Sequence, residues 1–122
     1  MCMNKRTVGS EKEELAVAYL KKHGIYVLER NFRCRGGEID IIGRDGGCYV
    51  FFEVKYRKNP AAGFPVEAVN LKKQTTISRV ADFYRLIHSL NDTTPVRFDI
   101  IAILGTEITW YRNAFEYRRY YK

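Results

Sequence analysis

Two short segments carry most of the chemistry this sequence offers, Gly37-Glu38-Ile39-Asp40 and Glu53-Val54-Lys55. Strand alternation puts Glu38 and Asp40 on one face with Ile39 and Ile41 opposite, and groups Glu53 and Lys55 with Phe51 against Val50, Phe52 and Val54. Asp45-Gly46-Gly47 between them is a hairpin signal. A Gly46-Gly47 loop sets Asp45 against Cys48, and counting back brings Asp40 opposite Glu53 and Glu38 opposite Lys55. A loop at Asp45-Gly46 instead pairs Asp40 with Phe51 and Glu38 with Glu53. The charged face is shared either way, because only an odd-length loop or a bulge reverses side-chain parity.

Directly opposed side chains stand with Cβ atoms about 5 Å apart, and like charges at that distance destabilise a hairpin. A divalent cation resolves the conflict: hard carboxylate oxygens suit Mg²⁺ or Mn²⁺, which bind one or two carboxylates with waters and substrate phosphate. Such a metal lowers the pKa of bound water and stabilises charge on phosphate oxygens, with Lys55 placed to assist both. The same pattern also fits a plain cross-strand ion pair, Glu38 with Lys55, and a solvated face bearing Asp40 and Glu53.

The elements that must position these residues follow from periodicity and caps. Ser10 to His23 is a helix, opened by a Ser10-x-x-Glu13 capping box and stopped at Gly24. Ile25 to Arg33, Glu38 to Gly43 and Tyr49 to Tyr56 are successive strands. Asn59 to Pro65 breaks regular structure and reads as a mobile loop. In a second helix Ile77, Val80, Ala81, Tyr84, Ile87 and Leu90 fall on one face, and Asn91 to Pro95 ends it. Val96 to Leu104 and Glu107 to Tyr111 are strands, the last edge-like, before an aromatic and basic terminus. The order αβββαββ points to one α/β domain over residues 1–122, a mixed sheet around a hairpin meander with helices packed on it.

Twenty-one Lys and Arg against fourteen Asp and Glu leave +7 in 122 residues, spread over both halves, which suits a polyanionic partner rather than a membrane-anchoring basic tail. No apolar run approaches the roughly 18 residues of a membrane span, and Met1 to Arg6 lacks a signal h-region, so the expectation is cytoplasmic, with no membrane contact. Cys2, Cys34 and Cys48 make neither a disulfide framework nor a zinc motif, and His23 and His88 stand alone.

The run Asn31-Phe32-Arg33-Cys34-Arg35-Gly36-Gly37-Glu38-Ile39-Asp40-Ile41-Ile42, with Val50-Phe51-Phe52-Glu53-Val54-Lys55-Tyr56-Arg57, resembles the YraN family of bacterial proteins. That family is similar to PD-(D/E)xK nucleases of restriction-endonuclease-like fold (αβββαβ), in particular Holliday-junction-resolvase-like endonucleases. The resemblance extends through Glu13 to Leu20, Pro65 to Tyr84, Arg97-Phe98-Asp99 and Asn113-Ala114-Phe115. It implies Asp40 as the first acidic motif position and Glu53 and Lys55 as the E-x-K, with Glu13 as the helix-one glutamate that completes a site for Mg²⁺ or Mn²⁺. Ile39 replaces the superfamily's proline, and Lys12 the glycine usual before the helix-one glutamate. The implied activity is metal-dependent phosphodiester hydrolysis on DNA, branched DNA included; a nucleic-acid-binding module that kept the fold without catalysis is the rival, and a protein-interaction domain the third reading.

Around this set, Glu13 shares a helical face with Ala16, Val17 and Leu20, so it serves either as a cap or as a ligand. Glu38 is an alternative or supporting carboxylate, and Gln74 either hydrogen-bonds the site or is a first-turn polar residue. Arg33, Arg35, Arg57 and Lys58 bracket the acidic strands, and Lys72 and Lys73 begin the second helix; all six are candidates for nucleic-acid phosphate contact. Asp99 is expected to pair with Arg97 structurally. Trp110, Tyr111, Phe115, Tyr117, Tyr120 and Tyr121 read as core or interface residues before base-stacking ones, and the exposed last strand leaves a homodimer open.

Overall fold

Glycine and proline punctuation divides the chain into elements close to those expected. The computed structural model describes residues 5–119 and contains α1 (Lys5–Lys22), β1 (Tyr26–Cys34), β2 (Gly37–Asp45), β3 (Cys48–Arg57), α2 (Leu71–Ile87), β4 (Val96–Leu104) and β5 (Glu107–Phe115). One mixed sheet runs in the order β1-β2-β3-β4-β5, parallel only between β3 and β4, where α2 makes the crossover. Cys2, Tyr120 and Tyr121 lie outside the described residues. None of the described helices is long and apolar enough to cross a membrane.

The two helices cover opposite faces. Ala16, Val17 and Leu20 of α1 pack with Ile41, Val50, Phe52, Ile101 and Ile103. Ile77, Val80, Ala81 and Tyr84 of α2 pack with Ile39, Ile42, Phe51, Phe98 and Ile100. Burial of an aliphatic or aromatic side chain contributes about 1.5–3 kcal/mol, so these layers supply most of the drive that holds the sheet between the helices. The inner face of α2 ends earlier than its periodicity suggests, since Ile87 is half exposed and Leu90 joins the core only from the following turn.

Three expectations are revised. Helix α1 covers Lys5–Lys22, so Ser10 lies inside it and the Ser10-x-x-Glu13 capping box does not form; Glu13 is left to other partners. The segment from Asn59 to Pro65 is built into two 3₁₀ turns, Pro60–Ala62 and Pro65–Ala68, with Asn59 Oδ1 accepting the Ala61 N–H at 3.0 Å and Pro65 buried. Strand β5 runs on to Phe115, whose ring stacks on Phe98.

The hairpin joining β2 and β3 forms with Asp45 opposite Cys48, and Gly46 at φ +61° supplies the left-handed residue that a tight primed turn requires. The ladder continues to Ile41 opposite Phe52. Strict alternation then fails, because Ile39 sits in the α2-side core and Ile41 in the α1-side core. The parity changes at Asp40, beside Asn31 of β1, which takes φ +53° in the left-handed region. Glu38 therefore does not accompany Asp40 as the simple register implies.

Two strands away from this kink, Asp99 is fully buried and fully partnered. Arg97 donates to both its oxygens at 2.9 Å, the Trp110 indole donates at 2.9 Å and the Asn113 N–H at 2.8 Å. This structural pairing was legible in the sequence; its extension to β5 was not. Asp99→Ala leaves the Trp110 indole and the Asn113 N–H without their acceptor and Arg97 with Asp45 alone, and the expected cost is about 3 kcal/mol or more in equilibrium urea unfolding. A loss below about 1 kcal/mol would show that water replaces the carboxylate without penalty.

Candidate active site at the opening of the β2–β3 ladder

Beyond Ile41 and Phe52 a side chain takes over from the backbone ladder: Asp40 Oδ2 accepts the Val54 N–H at 2.8 Å. This draws the carboxylate across to β3 beside Glu53, whose own side chain is only 3% exposed. Burial, then the charge of Glu53 and a hydrogen bond with it, push Asp40 from an ordinary 3.8 up to about 8, against the lowering effect of the Val54 N–H and Lys73. Ionisation of Asp40 is thus opposed by the carboxylate beside it.

Glu53 carries the compensating cations. Its Oε2 lies 3.5 Å from Lys55 Nζ and 3.3 Å from Lys73 Nζ, the second arriving from the first turn of α2. Lys73, expected only as a phosphate contact, is brought into the acidic cluster itself.

Glu13 approaches from α1. Its Oε1 accepts from Asn31 Nδ2 at 2.8 Å and Arg30 Nη2 at 3.3 Å, while Arg30 also binds Glu14. Burial and the charge of Asp40 raise its pKa, so Asp40 and Glu13 feel one another across the kink. Arg30 and Asn31 are the residues that sequence reasoning passed over. An asparagine inside a strand, tolerant of left-handed φ and poor in β propensity, was the available signal.

The remaining candidates stand apart from this cluster. Glu38 pairs with Arg33 at 3.5 Å instead of Lys55, because of the parity change at Asp40. Gln74 donates to the Val69 carbonyl and accepts from Arg118 at 3.0 Å. Arg35, Lys58 and Lys72 are exposed, and Arg57 folds one N–H onto the Tyr56 carbonyl.

Among the described residues no three His, Cys, Asp or Glu side chains gather closely enough to hold a metal ion. Asp40 and Glu53 nevertheless fit a divalent cation by their chemistry: two adjoining hard-oxygen donors in a setting whose burial opposes the ionisation of Asp40. Two carboxylates are what Mg²⁺ or Mn²⁺ commonly takes from protein, with water and phosphate filling the rest.

Comparison with known proteins places this geometry in a family. Residues 12–103 match the model described as "Uncharacterised protein family UPF0102", a span that includes every residue of the cluster. The chain belongs to the UPF0102 family. The UPF0102 protein of Lachnoclostridium phytofermentans is 47% identical over 114 residues, covering 93% of this chain and 97% of that one. Those of Caldicellulosiruptor bescii (48%, covering 83% and 85%) and Syntrophus aciditrophicus (44%, covering 95% and 93%) are similarly close. The resemblance drawn from the G-E-I-D and E-V-K segments to the YraN family is this same membership. In this UPF0102 protein the matched span stops within β4, so β5 and its contacts to Asp99 lie beyond it.

A carboxyl pKa raised on folding stabilises the fold at pH below the unfolded value and loses that contribution as pH rises through the folded one. Metal-free protein is therefore expected to lose stability between about pH 4 and about 8 on account of Asp40. Asp40→Asn keeps an acceptor for Val54 and a donor for Glu53 without the proton, so its urea-unfolding free energy, measured in EDTA, should decline less over that range. Parallel profiles for the two proteins would refute the assignment.

Proposed function

We propose that this chain is a divalent-cation-dependent endonuclease-like phosphodiesterase acting on DNA, branched DNA included. The observation that carries the reading is the contact between Asp40 and Glu53 at the opened end of a ladder, with Lys55 on the same glutamate. Placing two carboxylates together without neutralising charge destabilises a fold, and a carboxylate pair at a strand end with a lysine two residues on is suited to phosphoryl chemistry. The +7 balance supports a polyanionic substrate, and exposed Arg33 near the end of β1, with Arg35 and Lys58 on the loops that follow β1 and β3, are suited to its phosphates.

In this reading Asp40 and Glu53 hold Mg²⁺ or Mn²⁺, with Glu13 beside them. Bound there, the ion supplies a water of lowered pKa and neutralises charge on phosphate oxygens. The chain's own residues do the remaining work. The Val54 N–H fixes the Asp40 carboxylate in the plane between the strands, and Asn31 and Arg30 hold Glu13. Lys55 keeps Glu53 oriented and presents positive charge toward the negative charge that develops on the phosphate oxygens.

The test is Mn²⁺ binding and cleavage of a four-way DNA junction. Lys55→Ala should lower cleavage about a hundredfold or more while retaining Mn²⁺, and Asp40→Ala should lose both. Junction binding that is indifferent to metal and to both substitutions, with no cleavage by the unaltered protein, would instead identify a non-catalytic binding module.

A further inference from the structure

We infer that Lys73 is an internal counter-ion that competes with a divalent cation for Glu53, so that metal enters this site by displacing the protein's own ammonium. The inference rests on the reading of Asp40 and Glu53 as the metal-holding pair and adds a control on how that pair is loaded.

The two ammonium groups on Glu53 Oε2 have different origins. Lys55 comes from the same strand at a spacing that puts it on the same face, whereas Lys73 is delivered by a separate element and still comes closer, 3.3 Å against 3.5 Å. It is the third residue of α2, and its backbone N–H is capped by Asn70 Oδ1 at 3.0 Å. That turn is the wrong place for a lysine on local grounds. The helix dipole repels cations at its N-terminus, and the first turn of α2 contains no acidic residue to offset Lys72 and Lys73. Glu53 provides the offset from the neighbouring strand. Lys72, one residue earlier, is exposed.

A Mg²⁺ ion sits about 2.0–2.1 Å from a carboxylate oxygen. Lys73 Nζ already stands on the same nearly buried oxygen, so both cannot occupy it without a doubly and a singly charged cation adjoining in a poorly solvated site. Lys73 is the mobile partner of the two: its side chain is 34% exposed at the end of a flexible four-carbon stem, and it can withdraw to water. In the metal-free protein Lys73 thus keeps Glu53 compensated. Metal must then outcompete that ion pair.

The experiment is Mn²⁺ titration calorimetry on the full chain without nucleic acid, comparing the unaltered protein with K73M, K73R and K72M. Removing the competing charge should tighten Mn²⁺ binding about fivefold in K73M. K73R should stay within about twofold of the unaltered protein, and K72M, with the same change of net charge, should leave affinity unchanged. K73Q carries the expectation of K73M should the latter not fold. Equal or weaker Mn²⁺ binding in K73M, or equal tightening in K72M and K73M, overturns the proposal. If the unaltered protein binds Mn²⁺ and D40N does not, while K73M is indifferent, this inference alone falls. If neither the unaltered protein nor K73M binds Mn²⁺, the metal reading falls with it.

Discussion

One hydrogen bond organises the candidate site: the Val54 N–H given to the Asp40 carboxylate in place of a backbone carbonyl across the hairpin. A buried N–H cannot go unpaired, so opening the β2–β3 ladder requires some other acceptor at that point. Asp40 supplies it and is thereby held against β3, next to Glu53, where its own ionisation is opposed. The parity change in β2, the left-handed Asn31 alongside it and the approach of Glu13 from α1 all meet at this position. Regular pleating through Ile39 to Ile41 would pair the backbone and leave Asp40 as one more side chain on a face.

Among the described residues Glu53 and Asp99 are the buried acids, and the contrast between their surroundings is informative. Asp99 is satisfied on every side by Arg97, Trp110 and Asn113, and Arg97 is held more firmly charged by that carboxylate. Such an arrangement ties β4 to β5 and leaves no lone pair for anything else. Asp40 and Glu53 are instead set against one another and offset by lysine ammonium groups that retain access to water. A saturated carboxylate serves the fold; an incompletely compensated pair at a strand opening leaves capacity for a ligand of positive charge.

The same comparison clarifies the charge balance. Several of the chain's fourteen acids are drawn into internal pairs, Glu13 and Glu14 with Arg30, Glu38 with Arg33, and Asp45 and Asp99 with Arg97. Arg35, Lys58 and Lys72 stay exposed near the ends of the strands and helix that build the site.

Local patterning determined much of this protein. Gly24 and the helical stripe of Ala16, Val17 and Leu20, the Asp45-Gly46-Gly47 turn, and the apolar run of β4 specify their elements through dihedral preference and periodicity, and the short turn lays β2 against β3. Arg97 and Asp99 could be paired for the same reason, since residues two apart on a strand share a face. Tertiary structure decided the rest, because it depended on groups far apart in sequence. It turned Asp40 into the sheet plane, tied Glu13 to Asn31 instead of a helix cap, took Glu38 away to Arg33, and carried Lys73 on a crossover helix to the oxygen that Lys55 already occupied. Periodicity assigns a side chain to a face; which distant charge lies across from it is settled only when the helices are laid on the sheet.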